Sequence, residues 1–118
     1  METKDLGKTS LGMEANVAAV LSYVLGLVTG IIFYLIEKDN KFVRFHAIQS
    51  MLTFGGLLVI SVTNSFIVRI ILPWQAYSMI SGIIGIIGLV LWVVLMIKAY
   101  QGDYFKLPIV GDMAEKNL

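Results

Sequence analysis

The chain has 118 residues, of which 58% are hydrophobic and 14% charged, with a mean hydropathy of +0.84. Soluble domains carry roughly 25% charged and 45–50% apolar residues, so this is the composition of an integral membrane protein. The formal net charge of +1, with Lys and Arg interspersed among Asp and Glu, excludes the basic face that nucleic acid requires, and the absence of Cys excludes disulfides, thiolate metal sites and cysteine nucleophiles.

Residues 1–14 mix both signs of charge without apolar periodicity and read as a flexible tail. Thr9 and Ser10 are candidate N-caps for a helix with Glu14 in its first turn. The run 15–36 contains no acid or base other than tyrosine. At about 1.5 Å per residue it is long enough to cross a hydrocarbon core of roughly 30 Å, and it is predicted to be the first transmembrane helix. Helical spacing places Asn16, Ala19, Tyr23, Gly26, Gly30, Tyr34 and Glu37 on one side. Gly26 and Gly30 form a small-xxx-small pair that lets another helix approach closely, within the chain or between subunits.

Residues 37–45 form a charged block predicted to be cytoplasmic, and 46–72 a second transmembrane helix. Lys41 and Arg44 are placed to hold acidic headgroups there, with Phe42 and Phe45 as interfacial anchors. Only 73–77 remain for a turn before a third span at 78–98, so the second and third spans form a tight antiparallel hairpin. On the third span Ser81 and Gly85 belong to a small-residue face predicted to pack against protein. Gly102 ends it, and 99–118 form an interfacial tail with an aromatic and basic anchor at Tyr104, Phe105 and Lys106. Three crossings put Lys4, Lys8 and Arg69 on one side and Lys38, Lys41, Arg44, Lys98, Lys106 and Lys116 on the other. The excess predicts the N-terminus outside the cell membrane and the C-terminus in the cytoplasm.

The second span carries an unusual polar ladder. His46, Gln49, Ser50, Thr53, Ser61 and Asn64 fall within a sector of about 120° when successive residues are turned by 100°. Such a stripe must face protein or water rather than lipid. Two readings stand. It makes interhelical hydrogen bonds to Tyr23, Tyr34, Asn16 and the serines of the third span, or it lines a hydrated groove. With one His, no Cys, and every Asp and Glu in a tail, at a span boundary or in the block, no catalytic pair, metal cluster or cofactor site can be drawn.

The stretch NVAAVLSYVLGLVTGIIFYLIEKDNKFVRFHAIQS, residues 16–50, together with GDYFKLPIVGDMAEK, resembles an uncharacterised family of small archaeal and bacterial membrane proteins. Glu37, Asn40, Phe42, Val43, Arg44, Phe45, His46, Ala47 and Gln49 carry the specific part of that resemblance. The family is similar in turn to the chloroplast inner-envelope protein-import component of the Tic type, which has four spans where three are read here. The first resemblance implies a multi-span protein without assigned activity; the second implies passage of polypeptide across a membrane. The expectation is therefore an all-α, polytopic, three-span protein without cofactors, acting as a non-enzymatic packing or assembly module. Its expected partners are the bilayer and either further copies of itself or other membrane proteins, and the alternative is an import-like channel component.

Overall fold

The computed structural model describes residues 6–118. Within them the chain is all-helical: α1 is Ala15–Val24 and α2 is Leu27–Ile36. The long helix α3 is Lys41–Ile71, α4 is Trp74–Tyr100 and α5 is Val110–Lys116. Among the described residues only α3 and α4, of 31 and 27 residues, are long and apolar enough to cross a membrane.

The run 15–36, expected as one spanning helix, is instead two helices of 10 residues each. Gly26 adopts φ 59° and ψ −117°, a backbone conformation that side chains with a Cβ resist, and there the chain reverses. The ends prove the reversal: the Ser10 N–H lies 2.8 Å from the Glu37 carboxylate across 27 residues, where a straight helix would hold them roughly 40 Å apart. The segment before α1 and the charged block therefore share one end of the molecule, correcting the expectation that they lie on opposite sides. Gly26 is not part of a continuous small-residue face either, because no helix runs through it.

Side chains bond the backbone around the reversal, where Gly26 N–H already donates to Tyr23 O and Gly30 N–H to Gly26 O, both at 3.0 Å. Thr29 Oγ1 accepts from the Leu25 N–H at 3.1 Å and donates to Ser22 O at 3.0 Å. Trp92 Nε1–H donates to Tyr23 O at 2.8 Å, and Ser50 Oγ donates to Gly26 O at 2.9 Å. Gly30 lets α2 settle on α3 so closely that a Cβ would stand 3.1 Å from both Ala47 O and Ser50.

The core follows from this arrangement. Ala18, Ala19 and Tyr23 of α1, Phe42, Val43 and Ala47 of α3, and Leu95 and Ala99 of α4 are fully or almost fully buried together. The hairpin of α1 and α2 ends level with Phe54, against which Gly26 packs. Beyond that level α3 and α4 have only each other, and Leu58, Val59, Phe66, Ile67, Met79, Ile83, Ile86 and Leu89 are exposed. The cross-section is thus broad at one end and narrow at the other, over extents of 52 × 29 × 21 Å.

Local chemistry sets the element ends. Asn40 caps α3, its side chain accepting from Val43 N–H at 3.0 Å. Near its far end α3 widens into a π turn at Asn64–Val68. Pro73 disfavours helix at the residue before it, and α4 starts at Trp74, so the connection is two residues rather than the expected 73–77. At the N-terminal side Glu14, not Thr9 or Ser10, precedes the first helical residue.

Two glycines give contrasting outcomes. Gly26→Val should destabilise by about 1–3 kcal/mol, combining a strained backbone with a collision at Phe54. Gly85→Ala meets nothing within 4 Å and should be neutral or stabilising by up to about 1 kcal/mol. Thermal unfolding in mild detergent measures both; equal effects would mean that the chain does not reverse at Gly26.

Candidate functional site

Two polar clusters lie in the broad end. The first ties three segments together at the charged block. The Glu37 carboxylate, fully buried, accepts from Ser10 N–H at 2.8 and 3.0 Å and from Ser10 Oγ–H at 2.8 Å. It also accepts from the N–H groups of Asp39 and Asn40, both at 3.1 Å. Asn40 Nδ2 donates to Leu6 O at 2.8 Å and Lys8 O at 3.1 Å. Burial alone would raise the proton affinity of Glu37, but the bonds from Ser10, Asp39 and Asn40 outweigh it and hold the carboxyl below its ordinary value of 4.5.

Arg44 serves the same knot from the other side. Its Nη1 donates to Tyr34 O at 3.0 Å and Glu37 O at 2.9 Å, and its guanidinium lies 4.4 Å from the centre of the Tyr34 ring. It caps the carbonyl end of α2, where a cation is favoured, instead of reaching for headgroups. Phe42 and Phe45, expected as interfacial anchors, are 1% and 0% exposed. Tyr104 packs on both rings, at 5.0 and 5.3 Å between centroids, so the C-terminal segment takes the place of lipid. Lys41 is exposed, as a headgroup contact requires.

The second cluster is the near half of the ladder. His46 Nε2 lies 2.9 Å from Asp103 O, and a carbonyl can only accept, so Nε2 carries the proton. Nδ1 is then the acceptor for the Tyr23 hydroxyl at 2.6 Å. Gln49 Nε2 donates to Tyr23 Oη at 3.1 Å and to Phe105 O at 2.8 Å, while its Oε1 accepts from Leu107 N–H at 3.0 Å. The Gln49 amide thus serves the non-helical segment as a neighbouring β-strand would, satisfying a carbonyl and an N–H two residues apart. His46, Gln49, Ser50 and Tyr23 are all fully buried, and His46 and Gln49 strap the segment after α4 onto α3.

The far half of the ladder is not joined to this cluster. Asn64 Nδ2 donates to Ser81 Oγ at 2.9 Å, linking α3 to α4, while Asn64 Oδ1 and Thr53 Oγ1 are buried without a partner. Ser61, between them, is half-buried. Of the packing residues, Gly30 meets α3 and Ser81 meets Asn64, whereas Gly85 faces open space. Tyr34 and Asn16 do not join the ladder: Tyr34 lies under Arg44, and Asn16 Nδ2 donates to Tyr100 O at 3.1 Å. Sequence reasoning missed Asp103, Phe105 and Leu107 as partners, since they contribute backbone atoms that no side-chain pattern reveals. Among the described residues no three His, Asp or Glu side chains gather to hold a metal ion.

The chain belongs to the MamF/MmsF family, the magnetosome magnetite crystal formation protein family, whose profile matches residues 8–114. A UPF0132 membrane protein of Methanocaldococcus jannaschii is 48% identical over 111 residues, covering 94% of each chain. A UPF0132 membrane protein of Archaeoglobus fulgidus is 45% identical over 106 residues, 90% of this chain and 97% of its own. A second Methanocaldococcus jannaschii relative with that name is 43% identical over 107 residues, 91% of this chain and 72% of its own. No solved structure matches. These relatives are named membrane proteins, in keeping with the two long apolar helices, and their names assign no activity.

Three substitutions separate the clusters. Gln49→Leu removes three hydrogen bonds, leaving Phe105 O and Leu107 N–H unmatched and Tyr23 Oη with only its bond to His46, so it should destabilise by about 2–4 kcal/mol. It should also expose the 103–107 backbone to hydrogen exchange. Asn64→Leu, which forfeits one bond and removes an unpartnered oxygen, should cost less than about 1 kcal/mol. Glu37 predicts a pH effect. Its proton is bound more weakly in the folded chain than in the unfolded one, so its contribution is complete above pH 4.5 and is lost as the pH falls through the lower folded value. Glu37→Gln should lower thermal stability at neutral pH and flatten the acid limb of the melting temperature against pH; an unchanged limb would assign it to other carboxylates.

Proposed function

We propose that the protein is a non-enzymatic helical module of the cell membrane that serves packing and assembly, with two crossing helices and one re-entrant hairpin. In this reading α3 and α4 span the bilayer, while α1 and α2, each about 15 Å long, enter from the cytoplasmic face and return to it near the midplane. The observation that carries the functional part is the saturation of the buried cluster. Tyr23, His46 and Gln49 spend their polar atoms on one another and on the segment 103–107, which is how a scaffold uses such groups.

Charge supports the topology. With the hairpin re-entrant, Lys8, Lys38, Lys41, Arg44, Lys98, Lys106 and Lys116 share one end and Arg69 holds the other, seven against one among the described residues. That bias favours the broad end in the cytoplasm, with both termini there. At the opposite end Arg69 lies 5.9 Å from the ring centres of Trp74 and Tyr77, an aromatic and basic grouping suited to the outer interface. The open face at Gly82 and Gly85 offers a surface for a second copy or another membrane protein. The import-like alternative draws on Thr53 Oγ1 and Asn64 Oδ1, polar atoms without partners along α3.

Single-Cys variants test both readings in a chain that has no native Cys. Lys8→Cys, Asn40→Cys and Lys116→Cys should be shielded from an impermeant thiol reagent outside intact cells, and Gln75→Cys should react. Positions 8 and 40 on opposite sides would sink the re-entrant reading. Thr53→Cys should stay protected in folded protein; its reaction with a water-soluble thiol reagent would favour the hydrated path.

A further inference from the structure

The two halves of the molecule occupy different areas. At the broad end α1, α2, α3 and α4 lie side by side, joined by the segment 103–109 and by α5, which packs on α3 through Phe45, Ile48 and Ala114. Past the level of Phe54 and Trp92, where the hairpin tip meets α3 and α4, only those two helices continue. Each helix is about 10–12 Å across, so the broad end displaces at least twice the area of the narrow one.

The taper is cross-braced by hydrogen bonds and its sides are apolar. The Ser10 bonds to Glu37 close the mouth of the hairpin, the Trp92 and Ser50 bonds hold its tip, and Gly30 locks it to α3. Its outer faces expose Leu21, Leu25, Val28, Ile31, Ile32 and Leu35. Beside α5, Ile109 and Met113 are exposed next to Lys106, Asp112 and Glu115, with the Lys106 ammonium paired to Glu115, an amphipathic surface suited to the interface. A body that fills one leaflet more than the other relaxes where that leaflet is the convex one, because lipid there is spread and accepts the inserted area at lower cost.

From this shape we infer a further activity: the protein is a membrane wedge that gathers on, and favours, curved bilayer whose cytoplasmic leaflet is convex. The partner is a lipid surface recognised by its curvature, with α1, α2 and α5 supplying the excess area. The inference rests on the re-entrant topology proposed above.

The full chain, carrying a fluorophore at Lys116→Cys, is reconstituted at low density into giant vesicles of phosphatidylcholine and phosphatidylglycerol, and a nanotube is drawn outward. An impermeant quencher separates molecules with the broad end outward from those with it inward. Outward molecules should be enriched several-fold on the tube relative to the flat membrane, and inward molecules depleted. Equal density of both populations overturns the wedge, and if the thiol-labelling pattern stands, it leaves the topology intact. Labelling of Leu25→Cys from the side that labels Gln75→Cys would show the hairpin crossing the bilayer, and both the topology and the wedge would fall together.

Discussion

A buried chain can reverse only where the backbone groups it frees find partners inside the protein, and the broad end is arranged to meet that demand. Around the reversal at Gly26, Ser22 O and Leu25 N–H take side-chain partners, while Tyr23 O and Gly26 O, already bonded to the Gly26 and Gly30 N–H groups, each gain a second donor. Thr29 serves two of them, Trp92 of α4 a third and Ser50 of α3 the fourth. These partners come from three helices, so the turn and the packing of the bundle form together or not at all. The same demand explains the Gln49 amide: the irregular segment after α4 lies against α3 only because a side chain stands in for a strand.

The reversal in turn gives the charged block its structural meaning. A carboxylate at the end of α2 meets the unfavourable pole of that helix. Glu37 is stable there because the chain folds back to bring Ser10 over it, and because the turn into α3 aims the Asp39 and Asn40 amides at the same oxygens. Arg44, one turn into α3, neutralises the carbonyl end of α2 by bonding Tyr34 O and Glu37 O. The block reads as a surface loop by charge density, yet its central acid is among the most buried groups in the protein.

Much of this was legible in the sequence, and what was not has a physical cause. Composition and run length give the membrane class, and α3 and α4 lie close to the spans drawn at 46–72 and 78–98. The sector holding His46, Gln49, Ser50 and Thr53 follows from helical periodicity alone, and Tyr23 follows as a partner from its place on the polar side of the first apolar run. The break at Gly26 was not legible because a hydropathy run is blind to direction: two 10-residue helices joined by Leu25 and Gly26 have the same apolar count as one spanning helix. Gly26 and Gly30 fit a packing motif, and only the second packs as the motif suggests. The clue was Thr29, a hydroxyl three residues past Gly26 that bridges the break by donating to Ser22 O and accepting from Leu25 N–H. Phe42 and Phe45 were misplaced because nothing in their spacing reveals that Tyr104, about sixty residues later, covers them.

The asymmetry of satisfaction along α3 follows from where the hairpin stops. Up to Ser50 every ladder residue has a partner, because α1, α2 and the C-terminal segment all lie within reach. At Thr53, level with the hairpin tip, the first unpartnered hydroxyl appears, and beyond it Asn64 finds only Ser81. A polar stripe that outruns its partners fits both the proposed path along α3 and a short hairpin beside a long helix. The second account needs no feature beyond the reversal itself, and it joins the ladder, the buried Glu37 and the tapered outline to one cause.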